Sequence, residues 1–115
     1  MHETKWTRRI CGEMKRCNAM VFAIVGGLRQ EIGWPDRLVW HKYWCGLLEF
    51  KGEKTKLDVK QAIIIRELNV RAPGSAYVVR FPNMIQDWTG QDVATFDSSG
   101  KGLLEQLRDI TKTVV

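Results

Sequence analysis

Two apolar runs, "PDRLVWHK" (35–42) and "GLLEFKGE" (46–53), stand about four residues apart, with Gly46 close to the break. Strand-like runs separated by so short a gap point to an antiparallel hairpin. Pro35 falls just before the first run, where its missing N–H costs no ladder bond. A hairpin by itself is marginal in water and needs more strands or a helix against one face. The flanking sequence offers both. "AMVFAIV" (19–25) reads as a buried strand, and "LDVKQAIIIRELNVRA" (57–72) as a helix with Asp58 at its N-cap and Gln61 completing a variant capping box.

Around this centre, residues 3–16 read as a helix with Glu3, Trp6, Ile10, Glu13 or Met14 and Cys17 along one face. "GGLRQEIGW" (26–34) breaks the periodicity and reads as a mobile loop. Pro73-Gly74 closes the second helix and "SAYVVRF" (75–81) supplies a fourth strand. In the tail, "DVATFD" suits a further strand and "GLLEQLRDITKTVV" a helix burying Leu103, Leu104, Leu107 and Ile110. The expected fold is α/β in the order helix, three strands, helix, strand, with a small mixed sheet flanked by helices. At 115 residues the chain fits one domain, 1–115, around one core.

No apolar stretch approaches the roughly 20 residues a membrane span needs, and no signal-peptide pattern follows Met1, so an intracellular protein is expected. Cys11, Cys17 and Cys45 are odd in number and lack Cys-x-x-Cys spacing, which suits reduced thiols better than disulfides or a zinc site. The net charge of +5 favours an anionic partner such as nucleic acid.

The hairpin also carries charge where burial should exclude it. By strand alternation Glu49 and Lys51 share one face while Leu48 and Phe50 take the other. For a four-residue turn, Asp36 falls opposite Lys51 and diagonal to Glu49, within the roughly 5 to 8 Å of cross-strand neighbours. Two carboxylates and an ammonium then meet at one strand edge. A hard divalent cation such as Mg²⁺ or Mn²⁺ relieves the carboxylate repulsion, and there it can activate water and neutralise charge on a phosphoryl oxygen. Lys51 is placed to stabilise the same oxyanion.

Gly33-x-Pro35-Asp36, then Glu49-x-Lys51 after twelve residues, then Gln61 on the next helix, in this order of elements, resembles the PD-(D/E)XK nuclease superfamily. Within it the pattern resembles the VRR-NUC family, the virus-type replication-repair nucleases. The resemblance covers roughly residues 3 to 81, including the "YVVRF" strand and the basic "KGEKTKLD" segment. It implies that Asp36, Glu49 and the backbone carbonyl of Phe50 hold the metal, that Lys51 is the catalytic lysine, and that Gln61 stands beside the site. It also implies a glutamate on the first helix, for which Glu3 fits by position while Glu13 on the same face competes.

Plainer readings stand beside these. Asp36, Glu49 and Lys51 can form an exposed cross-strand ion pair, Gln61 can only cap its helix, and Glu3 can only favour the helix dipole. His41 is expected in a surface or packing role, and Trp6 and Trp40 on core faces. Trp34, beside the Pro-Asp pair, is the aromatic best placed to touch a nucleotide, and Arg29, Arg37, Lys54, Lys56 and Lys60 surround the site as candidate phosphate contacts. The expected function is a Mg²⁺- or Mn²⁺-dependent, structure-specific endodeoxyribonuclease directed at Holliday junctions or flaps. The alternative is a module that binds branched DNA or DNA ends without cutting. A two-fold homodimer is expected, with the tail helix and the "YWC" turn (43–45) as its candidate surface.

Overall fold

The computed structural model describes residues 3–24 and 33–114, apart from the side chains of Glu3 and Val114. The elements run α1 (Glu3–Arg16), β1 (Met20–Ala23), β2 (Arg37–Trp40), β3 (Cys45–Lys51), α2 (Val59–Arg71), β4 (Ala76–Arg80), β5 (Met84–Gln86), β6 (Asp92–Thr95) and α3 (Gly100–Val114). The six strands form one sheet in sequence order. Every neighbouring pair is antiparallel except β3 and β4, which run parallel because α2 carries the chain back across one face. The mixed sheet flanked by helices is the expected architecture. The three-residue β5 is an addition, and the loop expected at 26–34 lies largely outside the described residues.

The two faces of the sheet are covered unequally. Trp6, Ile10 and Met14 of α1 and Leu103, Leu104 and Leu107 of α3 pack on one face against Val39, Leu48, Phe50, Val79 and Ile85, all fully or almost fully buried. Burying such side chains contributes about 1.5–3 kcal/mol each, so this layer dominates stability. Gly100 lets the start of α3 sit directly on α1, since a Cβ there would lie 2.5 Å from the Met14 nitrogen and 2.6 Å from the Ile10 oxygen. Glu13 completes the joint: its carboxylate accepts the Gly100 N–H at 2.9 Å and pairs with Arg9 at 3.1 Å. On the opposite face, among the described residues, α2 lies down, with Ile65 against Ala76 and Val78.

That asymmetry corrects two expectations. Trp40 is not a core residue: Val39 takes the buried side of β2, and Trp40 projects to the other face, 59% exposed beside Met20 and Phe22. Most of the apolar side chains described in the tail helix and the "YWC" turn are likewise packed inward rather than free. The leucines of α3 are buried against α1 and the sheet, Trp44 is buried with its indole donating to the Gly74 carbonyl at 2.8 Å, and Tyr43 lies under the Arg108 guanidinium.

The hairpin register also differs from expectation. His41 and Trp44 exchange backbone hydrogen bonds at 3.1 Å, closing the turn two residues tighter. The His41 ring fixes this turn, with Nδ1 accepting the Tyr43 N–H at 3.0 Å and Nε2 within 2.8 Å of the Cys17 carbonyl. Arg37 therefore pairs with Leu48, and one step further Asp36 faces Glu49 rather than Lys51. A shift of two preserves the faces, so the carboxylates remain on one side.

Candidate active site

Glu49 lies in the middle of the sheet on the face covered by α2, and only 5% of it is exposed. Its Oε2 lies 3.4 Å from Lys51 Nζ and accepts from Gln61 Nε2 at 3.1 Å. Burial pushes its carboxyl up to about 7, the Asp36 charge adds to the rise, and Lys51 opposes it. Leu48 and Phe50, pointing the other way, anchor β3 in the core, where the Phe50 ring meets Trp6 edge-on with centroids 5.5 Å apart. One strand thus uses alternation to lock its apolar residues below and present Glu49 and Lys51 above.

Asp36 occupies the step before β2, and a set of backbone contacts holds it. Its carbonyl accepts from Ile24 N at 2.8 Å and from Arg37 Nη1 at 2.9 Å. Its carboxylate accepts the Phe50 N–H at 3.4 Å, with the Arg37 guanidinium 3.9 Å away. In an extended strand the N–H and C=O of one residue leave on the same side, so the Phe50 carbonyl also points to the Asp36 edge. Gly33 steers the chain into this position: its φ of +100° is a conformation that favours glycine, and a Cβ there would fall 2.9 Å from the Lys60 carbonyl. Gly33, two residues ahead of the Pro-Asp pair, therefore packs directly against the start of α2.

Gln61 performs two tasks with one side chain. Its Oε1 accepts the Asp58 N–H at 3.2 Å, and its backbone N–H donates to Asp58 Oδ1 at 2.8 Å, forming the expected capping box. With Oε1 committed to the cap, Nε2 is left to face Glu49. Capping and site geometry are one arrangement rather than competing explanations.

Other sequence candidates divide by location. Trp34 is exposed beside a cavity of about 270 Å³ lined by Ile64, Glu67, Leu68 and Arg71 on α2. Lys54, Lys56 and Lys60 are exposed, the first two on the loop leaving Lys51 and the third next to Gln61. Arg37 is half-buried, its guanidinium drawn to Asp36 on one side and the buried Cys11 thiol on the other. Arg29 and the Glu3 side chain lie outside the described residues. Glu13 is occupied at the start of α3, so it does not compete for the site. His41 has the packing role expected of it.

Sequence reasoning missed Arg80. It is the parallel-ladder partner of Lys51, on the same face and one strand further along. The signal was available in the alternation of "AYVVR", where Val78 packs on the α2 side and Arg80, two residues later, follows it.

Among the described residues no group of three or more His, Cys, Asp or Glu side chains comes together. The available donor set is two carboxylates and one carbonyl. Two acids so close, one of them buried enough to hold its proton near neutrality, suit a hard cation that accepts oxygen ligands and keeps waters in its remaining positions. Also among the described residues, no helix is long and apolar enough to cross a membrane.

No family model matches the chain, and a comparison with curated protein sequences finds no match either. Among solved structures the chain is similar to the 1.6 Å structure of Archaeoglobus fulgidus Hjc, a Holliday junction resolvase from an archaeal hyperthermophile, with a TM-score of 0.58 and 14% identity over 90% of this chain and 98% of that one. At that identity the likeness is one of fold, and it agrees with the PD-(D/E)XK architecture expected from the sequence.

Proposed function

We infer that this chain is a divalent-metal-dependent endodeoxyribonuclease of the VRR-NUC type that acts on branched DNA inside the cell. The observation that carries this reading is the meeting of Asp36, Glu49, Lys51 and Gln61 where β2, β3 and α2 converge, on a fold like that of a Holliday junction resolvase. Asp36, Glu49 and the Phe50 carbonyl would hold Mg²⁺ or Mn²⁺, which when bound would supply Lewis-acid stabilisation of the phosphoryl oxygens and a nucleophilic water. Gln61 holds Glu49 in orientation, and Lys51, close to Glu49 and nearly buried, presents its ammonium to charge developing on the scissile phosphate. Lys54, Lys56 and Lys60 take phosphates of the backbone, Trp34 offers a stacking surface, and Arg37 steadies Asp36. Arg29 and Glu3 belong to the same reading as a phosphate contact and the first-helix glutamate.

A homodimer gives two such sites for the two cuts a four-way junction requires. Its contact face in this reading is the exposed apolar side of β1 and β2, where Met20, Phe22 and Trp40 are each more than half exposed along the sheet edge.

The test is incubation with four-way junctions, flaps and linear duplexes in Mg²⁺, Mn²⁺ or chelator. Metal-dependent cutting of branched DNA that disappears in Asp36→Asn and Glu49→Gln, with DNA affinity retained, is expected. Binding without cutting under every metal would leave the non-catalytic binding module. Equal cutting by the Asp36→Asn/Glu49→Gln double variant would remove the site assignment.

A further inference from the structure

Arg80 has a bonding pattern that its place in the ladder does not require. Its Nε donates to Gln86 Oε1 at 2.8 Å, and its Nη1 donates to the carbonyls of Gly52 at 2.7 Å and Thr55 at 2.5 Å. Gln86 is oriented in turn, its Nε2 donating to Asp92 Oδ1 at 2.8 Å. A chain of hydrogen bonds therefore crosses β6, β5 and β4 and ends on the backbone of the loop that leaves Lys51. Among the described residues no carboxylate lies within ion-pairing distance of Arg80. The guanidinium is thus spent on loop carbonyls rather than on a carboxylate.

We propose that Arg80 is a positioning residue for DNA binding: by gripping the Gly52 and Thr55 carbonyls it fixes the 52–56 loop so that Lys54 and Lys56 stand ready to meet adjacent phosphates. This rests on the nuclease reading above and extends it to a residue outside the metal-binding set. A loop with two exposed lysines and no buried side chain has little of its own to hold it, since residues 53–56 are all exposed. Fixing it beforehand removes an ordering cost from binding. The planar fork of arginine is what makes one side chain able to reach two carbonyls and an amide oxygen together, which a lysine ammonium cannot reproduce.

The test is Arg80→Lys, which keeps the charge and loses the fork, read by two measurements. In limited trypsin digestion without DNA, the variant is expected to be cut at Lys54 and Lys56 well ahead of the wild type. In four-way-junction binding across a salt series, its log–log slope is expected to fall by up to about two, the loss of two phosphate contacts at about 0.9 each. Adding Arg80→Lys to a Lys54→Gln/Lys56→Gln background should then change the slope no further. Gln86→Ala is the second variant should Arg80→Lys fail to fold, and it is expected to loosen the loop to trypsin in the same direction. Unchanged trypsin resistance and salt slope in these variants would overturn the proposal. So would an Arg80→Gln slope loss of about 0.9 with Arg80→Lys unaffected, which marks a direct phosphate contact instead. Should the wild type show no salt-dependent DNA binding, the nuclease reading fails, while the digestion still decides whether Arg80 fixes the loop.

Discussion

Gln61 reaches Glu49 across the gap between α2 and β3, its Nε2 donating to Oε2 at 3.1 Å, and the same amide closes the cap of its own helix. One side chain therefore couples the start of α2 to the most buried acid of the site.

This coupling separates two substitutions that a simple cap would make alike. Asp58→Ala removes the cap acceptor and should cost about 1 kcal/mol of stability, with cleavage kept within a few-fold, because Gln61 still accepts the backbone N–H of residue 58. Gln61→Ala should cost similar stability and also lower cleavage roughly 10- to 100-fold, the usual penalty for losing a partner that orients a metal ligand. Thermal denaturation and single-turnover cleavage of both variants make the comparison. Equal cleavage would reduce Gln61 to a cap.

The acidity of Glu49 predicts a pH dependence with a definite sign. Its carboxyl is raised in the folded protein from 4.5 to about 7, first by burial and then by Asp36. The folded state therefore binds the proton more tightly than the unfolded chain between those values. Its stabilising contribution is complete below about 4.5 and lost as pH rises through about 7. In chelator the wild type should lose roughly 2 kcal/mol relative to Glu49→Gln across this window, allowing for partial screening. Denaturant melts of both proteins from pH 5 to 8.5 test it. Mg²⁺ or Mn²⁺ affinity, measured by calorimetry, should run the other way and rise with pH through about 7 as the cation displaces the proton.

Gly33 predicts a defect transmitted through the backbone. Gly33→Ala places a Cβ 2.9 Å from the Lys60 carbonyl at a φ of +100°, so the Pro-Asp segment has to shift. A stability loss of about 1–3 kcal/mol and a fall in cleavage without loss of salt-dependent DNA binding are expected. Circular dichroism melts, cleavage rates and a salt series distinguish this from a change at the DNA surface.

For the proposed dimer, Trp40→Glu is the discriminating change. With Trp40 59% exposed, the fold should tolerate the charge to within about 0.5 kcal/mol, while a contact face built on β1 and β2 should not. Light scattering at micromolar concentration should show the mass halved, with paired junction cuts replaced by single nicks. An unaltered mass would move the interface elsewhere.

Much of this arrangement was readable in the chain because its signals are local. The capping box is a four-residue pattern, and the Glu49-x-Lys51 spacing fixes a shared face whatever the register. What escaped depends on contacts between distant segments. The hairpin register turns on the bonds of His41 to Cys17 and of Trp44 to Gly74, neither of which the turn sequence contains. Leu38, Val39 and Trp40 are all apolar, so nothing in β2 itself decides which of them faces α1 and α3. The three-residue β5 is too short for a period to emerge, and Arg80 became visible only once β4 lay parallel to β3.

The Glu13 to Gly100 contact joins groups 87 residues apart, whereas the Gln61 to Glu49 contact spans only 12. Closing the longer loop carries the larger entropic cost, although that cost grows only slowly with length. Folding should therefore proceed from the middle outward: the hairpin and the α2 cap form early, and docking of α3 onto α1 comes late. Weakening the α1–α3 joint, for instance by Glu13→Ala, should then speed unfolding far more than it slows folding. The segment that carries the candidate site would belong to the folding nucleus, and the two helices that bury most of the core would act as a clasp fastened last.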